Sequence, residues 1–245
     1  MRKVPEVTIY FWIVKLLTTA MGESTSDYLV FHFISPYAAV ILGGVGFVAA
    51  LALQFVVRRY IAWVYWLAVV MVAIFGTMAA DVLHVVLHVS YLESTVFFSI
   101  CLAVIFAAWY LTEKTLSIHS IYTFRREFFY WATVMATFAL GTAVGDLTAD
   151  TLNLGYLASG ILFIGIFTIP AQAYWLFGLN EVFAFWFAYV ITRPLGASFA
   201  DYFGKPFLGG LGLGDTKVSL VLTIAIVILV GYLTITRKDV QDHKA

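Results

Sequence analysis

"YWATVMATFALGTAVGDLTAD", residues Tyr130 to Asp150, is apolar over most of its length. It nevertheless holds four threonines, two glycines and two aspartates. A soluble core helix does not need so many small and polar residues, and a membrane helix avoids buried carboxylates unless they face the interior of a bundle. What the stretch means depends on whether its pattern recurs.

It recurs four times. The segments run from Trp12 through Gly22 to Asp27, from Trp66 through Gly76 to Asp81, from Trp131 through Gly141 to Asp146, and from Trp186 through Gly196 to Asp201. In each the glycine follows the tryptophan by ten residues and the aspartate by fifteen. The residue before the aspartate is always small: Ser26, Ala80, Gly145 or Ala200. A threonine stands six residues after the tryptophan in three copies, as Thr18, Thr137 and Thr192, with Val72 in the other. Self-similarity at this period marks a repeat architecture.

Composition sets the solvent. Of 245 residues, 62% are hydrophobic and 11% charged, far from the half apolar and quarter charged of a soluble domain. Mean hydropathy is +0.95. A spanning helix needs about 20 apolar residues, and eight stretches qualify: 8–27, 34–57, 61–83, 92–112, 128–148, 154–177, 181–203 and 217–236. The expected fold is therefore an all-α integral membrane protein, one transmembrane domain over 1–245, of about eight spans. These form four parallel helical-hairpin repeats, approximately 8–57, 61–112, 128–177 and 181–236. Two spans per repeat give every motif helix the same direction, with pseudo-symmetry about the membrane normal.

Charge gives the orientation. Alternate loops carry Arg2, Lys3, Arg58, Arg59, Lys114, Arg125, Arg126, Arg237, Lys238 and Lys244 on one side, against Lys205 and Lys217 on the other. The positive-inside rule puts both termini in the cytoplasm. The N-terminus does not read as a cleavable signal, since Lys15 interrupts its apolar run. Zero net charge offers nothing to a nucleic-acid partner, and the lone Cys101 forms no internal disulfide.

The segments "KLLTTAMGESTSD", "TFALGTAVGDLTAD" and "TRPLGASFAD", with "LNLG" and "LGLG" after the third and fourth motif helices, resemble the bacterial membrane-anchored proteins built of short tandem repeats of unknown function. The resemblance covers nearly the whole chain. It implies a multi-pass protein of the bacterial inner membrane and no settled activity, so function must be sought in the residues.

On the first motif helix Lys15, Thr18, Thr19, Gly22, Glu23 and Ser26 share one face. Such a stripe must face the bundle or a water-filled cavity. Its counterparts are Gly76, Thr77 and Ala80; Thr137, Gly141, Thr142 and Gly145; and Thr192, Arg193, Gly196 and Ala200. If the four helices share an axis, the stripes line a pathway. Asp27, Asp81, Asp146 and Asp201 then crowd one mouth, with Glu23 a turn deeper. Clustered carboxylates hold protons or a cation, and rings of acids select cations. Carboxylate and hydroxyl donors suit hard divalent ions. The bland reading gives the glycines to helix packing and the aspartates to helix caps or to bridges with Lys15 and Arg193. Asp81, His84 and His88, at i, i+3 and i+7, form a second candidate metal set, with Glu93 and His32 as neighbours. The glycine-rich "LGGLGLGD", residues 208–215, reads as a flexible connection or a short re-entrant turn.

No Walker A, dinucleotide or HExxH pattern occurs, nor GxSxG, and no enzyme is expected. The expected function is a secondary transporter or channel for a small inorganic cation, a divalent metal such as manganese, with proton coupling through the carboxylates. The site residues are Glu23, Asp27, Asp81, Asp146, Asp201, Thr18, Thr142, Lys15 and Arg193. The metal is cargo rather than cofactor, and no covalently bound cofactor is expected. The alternative is a non-transporting scaffold or accessory subunit with structural aspartates. Partners are the bilayer and the cation. Four repeats can close a pore within one chain or supply half of a homo-oligomeric pathway.

Overall fold

The computed structural model describes residues 2–33 and 35–240, and the side chains of all of these but 32, 33, 85 and 86. Eight long helices follow one another: α1 Ile9–Tyr28, α2 Pro36–Val56, α3 Ala62–Asp81, α4 Tyr91–Glu113, α5 Phe124–Asp146, α6 Gly155–Phe177, α7 Glu181–Gly204 and α8 Asp215–Thr236. There is no strand among the described residues. Five-residue π turns, Leu29–Phe33, Val82–Val86 and Leu147–Thr151, follow α1, α3 and α5.

Local chemistry sets the starts. Thr8, Ser35, Thr123 and Asn180 each accept a backbone N–H of the first turn, satisfying donors that a helix leaves open. Glu93, offered as a neighbour of the histidines, completes a capping box with Ser90 at the start of α4, the pairing that an exposed Ser-x-x-Glu pattern makes with itself.

Seven of the eight helices are long and apolar enough to cross a membrane, and the chain is a multi-pass membrane protein. The exception to the expected eight is α1, whose 20 residues include Lys15, Glu23 and Asp27. Its length of about 30 Å matches the others, but its polar face is one the other helices must shield.

The shielding is done by a ring. α1 packs on α3, α3 on α5, α5 on α7, and α7 back on α1. The plain helices lie outside, α2 on α3, α4 on α5, α6 on α7 and α8 on α1. The main partner of each plain helix is thus the motif helix of the following repeat, and α8 closes the circle. The hairpin repeats are therefore interlocked around the ring rather than packed separately. The ring helices bury most of their surface, while α2, α4, α6 and α8 expose rows of Val, Ile, Leu and Phe.

Glycine sets the spacing of the ring. A methyl placed on Gly22 would stand 2.5 Å from Ala73 Cβ, and one on Gly76 2.7 Å from Phe138 Cβ. The same methyl on Gly141 would meet Arg193 Cβ at 2.5 Å, and on Gly196 Thr19 Cβ at 2.7 Å. Ala73, Phe138, Arg193 and Thr19 all stand seven residues after their repeat's tryptophan. One contact is therefore made four times around the ring, with only a glycine allowing the backbones so close.

The basic end is closed by residues 2–8. Lys3 N–H donates to Ile121 O (3.1 Å), Tyr60 N–H to Arg2 O (2.9 Å), and Glu6 N–H to Asp239 O (2.9 Å). Lys3 Nζ reaches the buried Glu127 at 2.5 Å, and Gln54 Nε2 donates to the other Glu127 oxygen at 2.9 Å.

Candidate functional site: the polar axis of the helix ring

The interior of the ring is layered by repeat position. At the basic end sit Phe11, Tyr65, Tyr130 and Phe185, each one residue before its tryptophan. The hydroxyls of Tyr65 and Tyr130 hydrogen-bond to each other, which satisfies two polar groups that burial would otherwise leave exposed to an apolar surround.

Above them lies Lys15. Its ammonium stands 3.9 Å from the centre of the Phe138 ring and 4.1 Å from that of Tyr189, and it has no hydrogen-bond partner. Cation–π contact is the interaction that holds it. The bridge to an aspartate that the bland reading offered Lys15 does not form. Asp27 lies twelve residues further along α1, about three turns of helix, and the other three aspartates share its register.

Arg193 occupies the next layer and ties all four ring helices together. Its Nη2 donates to Glu23 Oε2 on α1 (2.5 Å), to Thr142 Oγ1 on α5 (2.7 Å) and to Thr77 Oγ1 on α3, while Nη1 donates to Thr19 O (3.4 Å). Glu23, Thr77 and Thr142 each stand eleven residues after their tryptophan, and the fourth copy has Ala197 there. One repeat supplies the guanidinium, and the other three supply its acceptors from one equivalent position. Thr77 and Thr142 pass their own protons to Ala73 O and Phe138 O, so their lone pairs face the arginine.

The acidic layer lies at the ends of the motif helices. Carboxylate oxygens of Glu23, Asp27 and Asp201 fall within 4.8 Å of one another, and all three residues are buried. Ser26 Oγ donates to Asp81 Oδ2 at 3.4 Å. Asp81 and Asp146 are half-buried; Asp81 is within Coulombic range of Glu23 and Asp27, and Asp146 of Glu23, Asp27 and Asp201. Lys205 Nζ bridges Asp27 Oδ2 (2.9 Å) and Asp201 Oδ1 (2.8 Å). Burial works against the Lys205 charge, but Asp201, Asp27, Glu23 and Asp146 outweigh it and hold the ammonium well above the usual lysine range.

Lys205 was absent from the sequence-derived site. Its signal was there: it lies four residues after Asp201 and is one of two cations on that side. The segment 208–215 holds it in place by folding back on the end of α7. Gly212 N–H donates to Lys205 O (3.1 Å), Leu213 N–H to Phe203 O (2.9 Å) and Gly214 N–H to Gly204 O (3.0 Å). Gly209, Gly212 and Gly214 have positive φ, which makes this tight return possible.

Thr18 donates its hydroxyl proton to Lys15 O at 2.8 Å, as Thr137 and Thr192 do to Val134 O and Tyr189 O, so it has only lone pairs to offer the axis. One expectation needs correction. Asp81, His84 and His88 do not gather as a metal set. Among the described residues the grouping of ligand atoms is Glu23, Asp27 and Asp201. The π turn at Val82–Val86 breaks the assumed i, i+3, i+7 face. His84 Nδ1–H turns to Val89 O at 2.7 Å, and His88 is exposed with φ 53°. The His32 side chain lies outside the described residues.

A family model described as a Repeat of Unknown Function (DUF347) matches residues 10–60, 64–115, 129–178 and 184–239. The chain belongs to this repeat family. The matched segments carry all four ring helices, so the axis residues are what the DUF347 repeats bring together in this chain. No curated protein and no solved structure matches it.

Proposed function

We propose that this DUF347 repeat protein moves a small inorganic cation across the bacterial inner membrane along the axis of its helix ring. The reading rests on one observation: five carboxyls, Glu23, Asp27, Asp81, Asp146 and Asp201, converge at one end of the ring on two cations, Arg193 and Lys205. Surplus carboxylate at a helix-lined mouth takes up a cation or protons. Oxygen-only donors suit a hard divalent ion, with manganese the first to try, and equally suit proton coupling.

In this reading both termini are cytoplasmic, because the basic loops share one end, and the acidic mouth faces outward. Arg193 closes the axis below the mouth, so transport requires its guanidinium to leave Glu23, or the ring helices to shift. That favours a carrier over an open channel. Lys205 stands in the mouth as a tethered counter-charge, which an arriving divalent ion displaces. The same two cations support the second reading, a scaffold in which Arg193 and Lys205 hold Glu23, Asp27 and Asp201 permanently.

Flux into proteoliposomes separates the two. A panel of Mn²⁺, Mg²⁺, Zn²⁺, Ca²⁺, Na⁺ and H⁺ is run on the native chain, on Asp201→Asn, and on Asp150→Asn as a control at an exposed aspartate. Flux of one ion that disappears in Asp201→Asn alone supports transport. No flux of any ion, with Asp201→Asn merely less stable, leaves the scaffold.

A further inference from the structure

At the basic end, off the ring axis, a groove of about 480 Å³ opens between the start of α3 and the end of α8. Its floor is apolar, formed by Val4, Ile61 and Leu233. On its rim stand Arg59 and Arg237, both exposed and with no ion pair among the described residues. α3 begins here without a side-chain cap on Ile61, so its first amide N–H groups add positive potential to the same space. One membrane helix starts and another stops at this height, which places the groove at the headgroup level.

These features suit a phosphate, but the lining also contains Glu6 and Asp239. Glu6 is taken up by Arg2. Asp239 is buried: its Oδ2 accepts from the Tyr60 hydroxyl, and its Oδ1 has no hydrogen-bond partner. A bare phosphate would leave that oxygen unanswered and be repelled by it. A headgroup with a primary ammonium beside its phosphate answers both ends. Burial pushes the Asp239 carboxyl up, and a neighbouring ammonium would hold it ionised.

We propose that this groove binds the headgroup of an aminophospholipid of the phosphatidylethanolamine type, with its phosphate at Arg59, Arg237 and the start of α3 and its ammonium at Asp239. The site is independent of cation transport along the axis. It needs only the membrane placement of the chain.

Native mass spectrometry of the full chain tests it, with phosphatidylethanolamine, phosphatidylglycerol and phosphatidylcholine of matched acyl chains titrated in. Retention of phosphatidylethanolamine about tenfold above the other two is expected, the size of one charge-assisted hydrogen bond. Asp239→Asn should bring it down to the phosphatidylglycerol level, and Arg59→Ala with Arg237→Ala should weaken all three lipids. Glycerophosphoethanolamine and inorganic phosphate serve as soluble competitors. Displacement of lipid by phosphate alone would assign the site to a free anion and overturn the proposal. Equal retention of the three lipids by the native chain, which requires no variant to fold, would overturn it too.

Discussion

The guanidinium of Arg193 reaches the carboxylate of Glu23 at 2.5 Å across 170 residues of sequence, and both side chains are shut away from solvent. Removing one partner of such a pair strands the other charge at a typical cost of 3–5 kcal/mol, roughly. Arg193→Met and Glu23→Met should each destabilise the protein by about that much, and the double variant Arg193→Met/Glu23→Met should recover most of it. Unfolding in detergent micelles, read as a double-mutant cycle, gives the coupling. A coupling near zero would mean that the threonine hydroxyls, not Glu23, hold the arginine.

Gly141 and Gly145 form one small-x-x-x-small pair, yet they face different surroundings. A methyl on Gly141 runs into Arg193 and Pro194, whereas one on Gly145 meets Ala197 Cβ at 3.8 Å, an ordinary contact. Gly141→Ala should therefore cost about 1–3 kcal/mol through overpacking. Gly145→Ala should be neutral, or better by up to about 1 kcal/mol from helix propensity. Thermal midpoints of the two variants decide it, and equal losses would sink the ring-contact account.

Lys205 pairs with both Asp27 and Asp201, the acids that the proposed cation would need. Replacing it by methionine should cost stability in the absence of divalent ions and restore it when Mn²⁺ or Mg²⁺ is added. The gain should exceed that of the native chain by an apparent affinity change of about tenfold, the equivalent of 1.4 kcal/mol. Melting curves against ion concentration check this. A variant indifferent to every ion would show that the acids answer only to Lys205.

Lys15 has aromatic faces and no carboxylate. A buried charge so weakly compensated is expensive to keep, so Lys15→Met, similar in length and uncharged, should be as stable as the native protein or more so. If the amine bars cations from the lower axis, the same variant should leak ions in the flux assay. A large loss of stability would show that the cation–π contacts are structural.

Much of this was legible beforehand. The register of tryptophan, glycine and aspartate put the polar stripe on one face, and Lys15, Thr18, Thr19, Gly22, Glu23 and Ser26 are all buried. That inference needs only the helical period and the cost of polar groups in lipid. The histidine set failed because it assumed unbroken α-helix through residues 82–88, where the chain makes a π turn. Periodicity also does not reveal that Thr18 donates to its own backbone at Lys15 O, as a threonine within a helix can.

Local pattern alone determined that four like helices run in one direction with small and polar residues inward, because each copy carries its own period and its own cost of exposure. It could not determine which helix each would touch. That Gly141 lies on Arg193, that α8 closes on α1, and that Lys205 spans Asp27 and Asp201 follow from packing between segments distant in sequence. Those choices rest on shape and charge complementarity across the ring, and they exist only once the ring has closed.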